Sequence, residues 1–390
     1  MSTLYLREQS NEIREHEVAQ RWWRLPLGSR LPLSDGQYYR LIFAGHPGGS
    51  AGPDVRDAVL LQEDARSIEE ESAEPTEGAR LVGDVEFHVR SSDWLAHGHQ
   101  RDPRYNQVVL HVVLICNDPK PTYRQDGASI PTCSLYDLPN ADSEPAALWP
   151  CQRVMPALSP RERSALLQHA GLLRFEQKTE AFIEQLHAAS ASSSDELYNA
   201  CLLPAIGEGL GYGRDRAIFR AAALRLLGSN SQFPEPLGRA EQPAPLDSQR
   251  LQALRKLVVQ APGLWQTLHS LFHEYAAQTE ARLLSALHAV FLGSGLSLAR
   301  ADILICNIVL PFAAAIALLE HDSRLGTQAR TLYKLHPGLP SNRITRNMCA
   351  QLQLGAEPQG SCQQQGLHYL YQQTCRAKRC NVCSAARMTI

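Results

Sequence analysis

The stretch from Leu81 to Arg90 constrains the fold more than any other part of the sequence, because its side chains alternate between apolar and polar. Three apolar residues alternate with four titratable ones: Val85, Phe87 and Val89 with Asp84, Glu86, His88 and Arg90. A period of two predicts a β-strand, in which neighbouring side chains point to opposite faces. The four titratable side chains then share one face. An exposed edge strand gives the same pattern, so periodicity alone leaves open whether this face is a functional site.

The patterns around this strand indicate an α/β arrangement. A helix is predicted over residues 11–23, and further strands over 41–44, 55–61 and 108–115. The last of these is almost continuously apolar, which is typical of a buried central strand. From Ser159 onward, helical patterns dominate. The sequence therefore predicts an α/β domain with a mixed sheet, followed by an all-α domain.

Length also argues for more than one domain. A chain of 390 residues exceeds the roughly 250–300 residues beyond which a single core usually divides. A loop-like stretch rich in Pro, Asp and Ser ends near residue 150. We predict an α/β domain over residues 1–150, a helical domain over 151–354 and a cysteine-bearing C-terminal segment over 355–390.

Composition and charge narrow the function only slightly. The formal net charge of -2 gives no overall basic surface for nucleic acid, although a local basic groove is compatible with it. No secretory signal pattern is present near the start. The longest apolar run, Ile303 to Leu319, contains Asn307 and Pro311 and is shorter than the roughly 20 residues of a spanning helix. We interpret it as a buried helix and expect a cytoplasmic protein without a membrane partner, whose cysteines stay reduced.

Two further carboxylates are placed where they can join the polar face of the predicted strand. Asp54 follows a Gly-Pro turn at the start of a strand, and Glu17 lies on the first predicted helix. Converging carboxylates repel each other unless a cation neutralises them, and hard divalent ions are held in this way. We predict that Asp54, Glu86 and His88 converge at one end of the sheet and that the two carboxylates bind Mg²⁺ or Mn²⁺.

These residues also carry a resemblance. The Gly-Pro-Asp triplet ending at Asp54, followed by the Glu-Phe-His triplet from Glu86 to His88, resembles the PD-(D/E)XK nuclease superfamily. The resemblance implies a restriction-endonuclease-like fold, metal ligands at Asp54 and Glu86, and Glu17 as the optional acidic residue of the first helix. His88 stands where these nucleases usually have the lysine that orients or activates the attacking water. A neutral histidine can accept a proton from water and a charged one can stabilise phosphate charge, so His88 completes the implied catalytic set.

A second resemblance covers nearly the whole chain. The motifs that carry it are Gly52-Pro53-Asp54, the run Gly83 to Trp94, His97-Gly98-His99, Asp102, Tyr105, residues 110–113 and the C-terminal stretch from Gln365 to Cys383. They are similar to a bacterial family, domain of unknown function 2851. This resemblance implies no particular activity.

Four histidines are close together in the sequence: His88, His97, His99 and His111. They can form a transition-metal site, with His97 and His99 as a His-x-His pair and Asp102 nearby. Alternatively, His97 and His99 cap a loop beside the polar face and His111 is a hydrogen-bonded core histidine. We favour this second interpretation, because proximity in sequence does not fix geometry.

A cysteine cluster with the spacing C-x₄-C-x₂-C lies near the end of the chain and consists of Cys375, Cys380 and Cys383. The spacing matches the three-cysteine part of plant-type iron–sulfur sites and also suits Zn²⁺. A fourth ligand must come from upstream: Cys362 is the nearest candidate, and Cys151 and Cys349 are the next. The nuclease resemblance implies a cluster held by one distant and three C-terminal cysteines. We predict one metal centre here that pins the C-terminal segment.

The function expected from these features is a metal-dependent nuclease that hydrolyses phosphodiesters in DNA or RNA. One alternative is a non-catalytic nucleic-acid-binding or scaffold protein on a degenerate nuclease fold. A third possibility is a hydrolase of small substrates built around the histidines. The direction of the Asp54 side chain relative to Glu86 separates the first two hypotheses.

Overall fold

A computed structural model describes most of the chain: residues 15–48, 52–63, 79–118, 120–136, 138, 149–189, 193–211, 215–228, 245–260 and 263–387. The chain forms two compact units. The sheet unit comprises Met1–Arg153 and Gln372–Arg387, and the helical unit comprises Val154–Tyr371 and Met388–Ile390. An α/β part followed by an all-α part is therefore present. Residues 355–390 are not a separate unit, because the cysteine-bearing part returns to the sheet unit.

The sheet unit contains a seven-stranded mixed sheet in the order β1-β2-β4-β5-β6-β9, with β3 paired to β4. Strands β1 to β5 pair antiparallel, whereas β5–β6 and β6–β9 pair parallel. β7 and β8 form a separate two-stranded sheet. The strands are β1 Arg30–Pro32, β2 Tyr38–Phe43, β3 His46–Pro47, β4 Val55–Glu63, β5 Arg80–Arg90, β6 Val108–Ile115, β7 Thr122–Tyr123, β8 Ser129–Ile130 and β9 Thr132–Ser134.

The polar strand β5 lies inside this sheet, between β4 and β6. The exposed-edge interpretation of its alternation is therefore wrong. Asp84, Glu86 and His88 are all buried. Three titratable side chains on one buried face need partners there, because burying an unpaired polar or charged group is costly.

The opposite face of β5 packs on the first helix. Helix α1, Glu15–Arg24, buries Val18 and Trp22 completely, and the Trp22 ring lies 6.0 Å from that of Phe87. The Trp22 indole also donates a hydrogen bond to the carbonyl of Ala44 (3.0 Å). This packing fixes both the position and the rotation of α1 relative to β5.

Short helices complete the sheet unit. α2 is Asp93–Ala96, and the 3₁₀ turns are His99–Arg101, Pro103–Tyr105, Cys380–Val382 and Ser384–Ala386. The connection from β5 to the parallel strand β6 consists of α2 and the first two of these turns. It brings His97 and His99 back over the polar face of β5.

The helical unit is built from helices packed on one large apolar core. α3, Pro150–Ala157, contains the boundary between the units. The others are α4 Pro160–Ala188, α5 Ser194–Leu210, α6 Arg216–Leu227, α7 Pro245–Val258, α8 Leu264–Glu274, α9 Glu280–Gly293, α10 Leu298–Leu319, α11 Ser323–Leu335, α12 Arg343–Gln351 and α13 Ser361–Leu370. α10 contains a π-helical turn over Ile305–Val309, and a second one, Tyr371–Cys375, follows α13.

The sequence predicts two helices, over residues 162–171 and 174–189, where the structure has the single helix α4. Gly171 suggests a helix end, but its role is close packing. A Cβ atom added to Gly171 would lie 1.9 Å from the carbonyl oxygen of Cys362 in α13. The glycine therefore lets two helix backbones approach each other.

Helix α10 is the one helix among the described residues that is long and apolar enough to cross a membrane, with a mean hydropathy of 2.3 in its most apolar window. Within that window, 72% of the residues are buried inside the structure. Core helices of folded domains have the same composition, and this burial agrees with the interpretation of the run as a buried helix.

Candidate metal centre

Asp54 and Glu86 converge, and each carboxylate is held by the backbone that carries the other. The Asp54 N–H donates to Glu86 Oε2 (3.1 Å), and the Phe87 N–H donates to Asp54 Oδ2 (3.0 Å). The Asp54 side chain therefore points toward Glu86. Of the predicted set, these two residues come together as the sequence indicated.

Glycines make this approach possible. The Gly48 N–H donates to the Asp54 carbonyl (2.6 Å), and a Cβ at Gly48 would lie 2.0 Å from the Pro53 carbonyl oxygen. Gly52 has a φ of +109°, which favours glycine. The chain can thus turn sharply before β4 and place Asp54 at the start of the strand, opposite Glu86.

The pKa values of both carboxylates are raised. Burial raises the pKa of Glu86 to about 9, and the nearby charge of Asp54 adds to the effect. Although Asp54 as a residue is exposed, partial desolvation of its carboxylate also raises its pKa, against a lowering by the Phe87 N–H. The site therefore favours either a bound proton or a cation between the two groups.

The helix carboxylate beside this pair is Glu15, not the predicted Glu17. Desolvation raises the pKa of Glu15, and Asp54 raises it further. The charge of Glu15 in turn raises the pKa of Glu86, so the three acids form one cluster. No contact between Glu17 and Asp54 or Glu86 is present among the described residues.

The sequence contains a signal that selects Glu15. Residues three, four and seven apart share one face of a helix. Glu15 therefore lies on the same face of α1 as Val18 and Trp22, which pack on the sheet. Glu17 is two residues away from Glu15 and lies on another side of the helix.

Asp84, the first polar residue of β5, is neutralised locally. The Arg56 guanidinium donates to its carboxylate, and the Asp57 N–H lies 3.3 Å from Asp84 Oδ1. Asp84 is thus committed to holding β4 and β5 together. Arg56 also lowers the pKa of Glu86, though by less than burial and Asp54 raise it.

His88 is buried and lies at the centre of a chain of three imidazoles. Its Nδ1 is 2.9 Å from His111 Nε2, and its Nε2 is 3.1 Å from His97 Nδ1. His111 Nδ1 is in turn 3.4 Å from the Thr132 hydroxyl. Burial and the neighbouring histidines lower the pKa of His88 to about 2. His88 is therefore neutral, and both of its nitrogens face histidines rather than the carboxylate pair.

His99 is the histidine that reaches the carboxylate pair. Its Nε2 lies 3.3 Å from Glu86 Oε1, is buried, and has no hydrogen-bond partner among the described residues. The imidazole packs on the Tyr105 ring at a centroid distance of 3.9 Å. Burial lowers the pKa of His99 to about 4, so the ring is neutral at pH 7. The His97-x-His99 motif identifies this residue in the sequence. The direction of the His99 side chain, however, depends on how the β5–β6 connection folds.

These groups make a coherent set of metal donors. One ligand atom from each of His88, His97 and His99 lies within 4.8 Å of the others. His99 also approaches Glu86, which joins this histidine cluster to the carboxylates. His99 Nε2 is the orphaned nitrogen of the site, and a cation shared with Glu86 would satisfy it. Mixed imidazole and carboxylate donors suit Mn²⁺, Fe²⁺ or Zn²⁺ better than Mg²⁺.

The C-terminal segment is docked onto the sheet unit by charged side chains. Arg376 Nε donates to Asp57 (2.9 Å), and Arg80 donates to the carbonyls of Ala377 and Lys378. The buried Lys378 ammonium lies 3.7 Å from the centre of the Phe43 ring, a cation–π contact. These contacts bring the three C-terminal cysteines to the sheet unit.

The fourth cysteine at this cluster is Cys151 rather than the predicted Cys362. The Cys375 thiol interacts electrostatically with Cys151, Cys380 and Cys383, and Cys380 interacts with Cys151 and Cys383. Burial raises the pKa of Cys375 to about 11, so a cation is needed to hold thiolates here. None of the ten cysteines is in a disulfide.

Cys362 and Cys349 have other environments in the helical unit. Cys362 packs against Gly171 of α4, and its thiol is 3.6 Å from the Gln168 carbonyl. The Cys349 thiol is 4.0 Å from the Ala356 carbonyl. Spacing in the sequence pointed to Cys362 because it is the nearest upstream cysteine, but proximity along the chain does not determine which unit a residue joins.

Comparison with curated proteins and with solved structures gives no match. A family model described as Protein of unknown function (DUF2851) matches residues 22–227, more than half of the 390 residues. The matched stretch contains the carboxylate pair, the four histidines and Cys151, and it ends before the C-terminal cysteines. The chain therefore belongs to the DUF2851 family.

Proposed function

We propose that the sheet unit is a metal-dependent phosphodiesterase that cleaves nucleic acid, with a divalent cation held by Asp54, Glu86 and His99. The observation that carries the proposal is the reciprocal pairing of the two carboxylates through each other's backbone. Such an arrangement holds two acids at a fixed separation despite their repulsion, which is useful when a cation lies between them.

A cation at this site would lower the pKa of a bound water and offset the charge that develops on a phosphate. The protein residues have separate roles around it. Asp54 lies on the exposed side, where a substrate phosphate can approach, while Glu86 and His99 are buried behind it. Glu15 is exposed beside Asp54 and can orient the attacking water. The imidazole donor leads us to expect Mn²⁺ to support activity better than Mg²⁺.

The position of His88 favours a second candidate, a metal-binding but non-catalytic nucleic-acid-binding or scaffold protein. In the nucleases that the sequence resembles, the corresponding lysine acts on water. Here His88 is fully buried and bonded to two histidines, so it supports the site from behind. If Glu15 does not take over the role of this lysine in acting on water, the site binds metal without cleaving nucleic acid.

A cleavage assay on the full chain separates the two candidates. Purified protein is incubated with plasmid, linear duplex, single-stranded DNA and RNA, each with Mn²⁺, Mg²⁺ or EDTA. We expect Mn²⁺-dependent cleavage that falls at least 100-fold in Asp54→Asn and Glu86→Gln. Glu15→Gln should lower the rate by 10-fold or more, and the matched variant Glu17→Gln on the same helix should not.

Cleavage that persists in EDTA, or that is equal in wild type and Glu86→Gln, would contradict the proposed site. Metal binding that depends on Asp54 and Glu86 but without cleavage of any substrate would favour the non-catalytic candidate. Equal effects of Glu15→Gln and Glu17→Gln would remove Glu15 from the water-orienting role.

We also propose that Cys151, Cys375, Cys380 and Cys383 hold an iron–sulfur cluster. Thiolates around a single Zn²⁺ lie only ~4 Å apart, as the Zn–S bond length requires. These thiols are absent from the described groups whose ligand atoms all lie within 4.8 Å of one another. A wider arrangement suits a polynuclear cluster, and the resemblance to nucleases with one distant and three C-terminal cysteines supports the same choice.

Metal analysis tests this second centre independently of cleavage. Anaerobically purified protein should contain iron and acid-labile sulfide and absorb visible light. Stoichiometric zinc without sulfide would replace the cluster by a zinc site. Absence of both metals, with all four thiols alkylated rapidly in the native protein, would remove the centre. We also propose a cytoplasmic location, where thiols stay reduced and can bind metal.

A further inference from the structure

The helical unit has a cavity of its own, with a volume of about 560 Å³. Volumes of roughly 300–1,000 Å³ are typical of pockets for small molecules. Its described lining residues include five lysine or arginine side chains and one carboxylate: Arg174, Lys178, Arg216, Arg220, Arg300 and Glu208. All of them belong to the helical unit. The cavity therefore has a strong excess of positive charge, although the whole chain has a net charge of -2.

The carboxylate is already engaged by the two more exposed arginines. Arg216 lies 2.7 Å and Arg220 3.6 Å from the carboxylate of Glu208. Both arginines are on the first turns of α6, and Glu208 is near the end of α5. Glu208 can offset only part of the positive charge around the cavity.

Arg174 and Lys178 are held by neutral side chains. Arg174 Nε donates to Gln365 (2.8 Å), and Lys178 Nζ donates to the side-chain and backbone oxygens of Asn307, at 2.5 and 3.3 Å. These bonds orient the two cations without neutralising them. Gln365 is itself buried, which fixes the position of the Arg174 head group.

The electrostatics of the cavity show the same excess. Burial lowers the pKa of Lys178 well below its ordinary value, and Arg174 lowers it further. Burial, followed by the charges of Arg174 and Lys178, lowers the pKa of His368 to about 3. A bound anion would offset each of these effects.

Two features of helices α4 and α10 indicate that this cluster of cations has a function. Arg174 and Lys178 are four residues apart on α4, a spacing at which like charges repel each other. Asn307 lies within the π-helical turn of α10, and such turns are rare and frequent at functional sites. A purely structural role would not require two neighbouring cations beside a cavity, each held by an amide side chain.

We propose that this cavity binds a small phosphate-bearing molecule of about mononucleotide size, with Arg174 and Lys178 contacting its phosphate. Guanidinium groups match phosphate oxygens bidentately, and a lysine ammonium adds a point charge. Arg300 completes the cationic wall, and Arg216 and Arg220 lie toward the solvent.

Calorimetric titration of the full chain tests this directly, with inorganic phosphate, AMP and adenosine as probes at constant salt. We expect saturable binding of AMP, weaker binding of phosphate and none of adenosine. Arg174→Gln and Lys178→Met should each weaken AMP binding at least 10-fold. Arg324→Gln, which replaces an exposed arginine on α11 of the same unit, should change it by less than twofold.

Thermal melts keep the test valid if a variant folds poorly. Without ligand, Lys178→Met should melt at or above the wild-type temperature, because it removes a desolvated cation. Added AMP should raise the melting temperature of wild type but not of Lys178→Met. Asp54→Asn should bind AMP normally, so failure of the proposed nuclease site and of this cavity are separate results.

Three results would overturn the proposal. One is the absence of saturable binding by phosphate and AMP. Another is unchanged AMP affinity in both Arg174→Gln and Lys178→Met. The third is binding of oligonucleotides that depends on Arg174 and Lys178 without any binding of AMP, which would assign the cavity to a nucleic-acid strand.

Discussion

Glu86 is the residue at which the chemistry of the sheet unit concentrates. The residue is only 6% exposed, and its carboxylate accepts the Asp54 N–H and lies 3.3 Å from His99 Nε2. The Asp54–Glu86 pair could be predicted from sequence, because strand alternation and a Gly-Pro turn are local signals. The roles of Glu15 and His99 depend on how a helix rotates and where a connection folds, and local patterns determine neither by themselves.

We predict that Glu86→Gln stabilises the metal-free protein increasingly as pH rises. The pKa of Glu86 is raised from 4.5 to about 9, so the folded state binds the extra proton between these values and loses stability as pH rises through that window. Gln cannot ionise and avoids this loss. At pH 8 the gain should be on the order of 1–3 kcal/mol.

Urea melts in EDTA at pH 5, 6.5 and 8 measure this difference, with Glu17→Gln as the control on α1. The difference between Glu86→Gln and wild type should widen with pH, and the control should show no such trend. A difference that is constant or shrinks with pH would mean that Glu86 is charged in the metal-free protein.

At the level of elements, the crossing of α4 and α13 shows why helix boundaries were difficult to predict. Gly171 is a helix breaker by propensity, so the pattern divides α4 in two. The structure instead uses two glycines, Gly171 and Gly366, to bring two helices together, since a Cβ at Gly366 would lie 2.0 Å from the Leu167 carbonyl oxygen. Tertiary packing between residues nearly 200 positions apart overrides the local preference.

We predict that Gly171→Ala destabilises the protein, although alanine is the better helix former. The added methyl group would overlap the Cys362 carbonyl and force the helices apart, at a cost of about 2 kcal/mol or more. Gly293→Ala is the matched control, because a Cβ at this last residue of α9 meets nothing within 4 Å. Urea melts should show a large loss for Gly171→Ala and little change for Gly293→Ala; equal effects would refute close packing at Gly171.

The C-terminal cysteines show another limit of prediction from sequence, because their spacing identifies neighbouring ligands but not a distant one. The C-x₄-C-x₂-C spacing predicts a metal centre, but the partner cysteine lies on α3, far upstream in the sequence. We predict that Cys151→Ala loses the metal of this centre, because it removes one of four thiolates. Cys362→Ala should retain the metal and lose only about 1 kcal/mol of stability from a small cavity in the helical unit.

Iron, zinc and sulfide analysis of the two purified variants checks this prediction. Circular dichroism confirms that each variant is folded, and Cys116→Ala serves as an exposed-cysteine control. Metal retained in Cys151→Ala and lost in Cys362→Ala would restore the ligand set that the sequence spacing suggests.

For the whole molecule, the sequence predicted an α/β part before an all-α part and the family to which the chain belongs. It could not predict that residues 372–387 return to the sheet unit. That return rests on single long-range contacts, such as Arg376 with Asp57 and Lys378 with the Phe43 ring. Such contacts produce no periodic pattern in the sequence. The positive cavity of the helical unit could not be predicted for the same reason, because its cations come from three separate helices.

The central claim is that Asp54 and Glu86 bind a divalent cation together with His99. Crystals of the full chain soaked in Mn²⁺ and measured at the manganese absorption edge test it most directly. We predict one strong anomalous peak within bonding distance of an Asp54 oxygen, a Glu86 oxygen and His99 Nε2, and no such peak in Glu86→Gln crystals. A wild-type map without a peak there, or with manganese bound only at His88, His97 and other histidines, would contradict it.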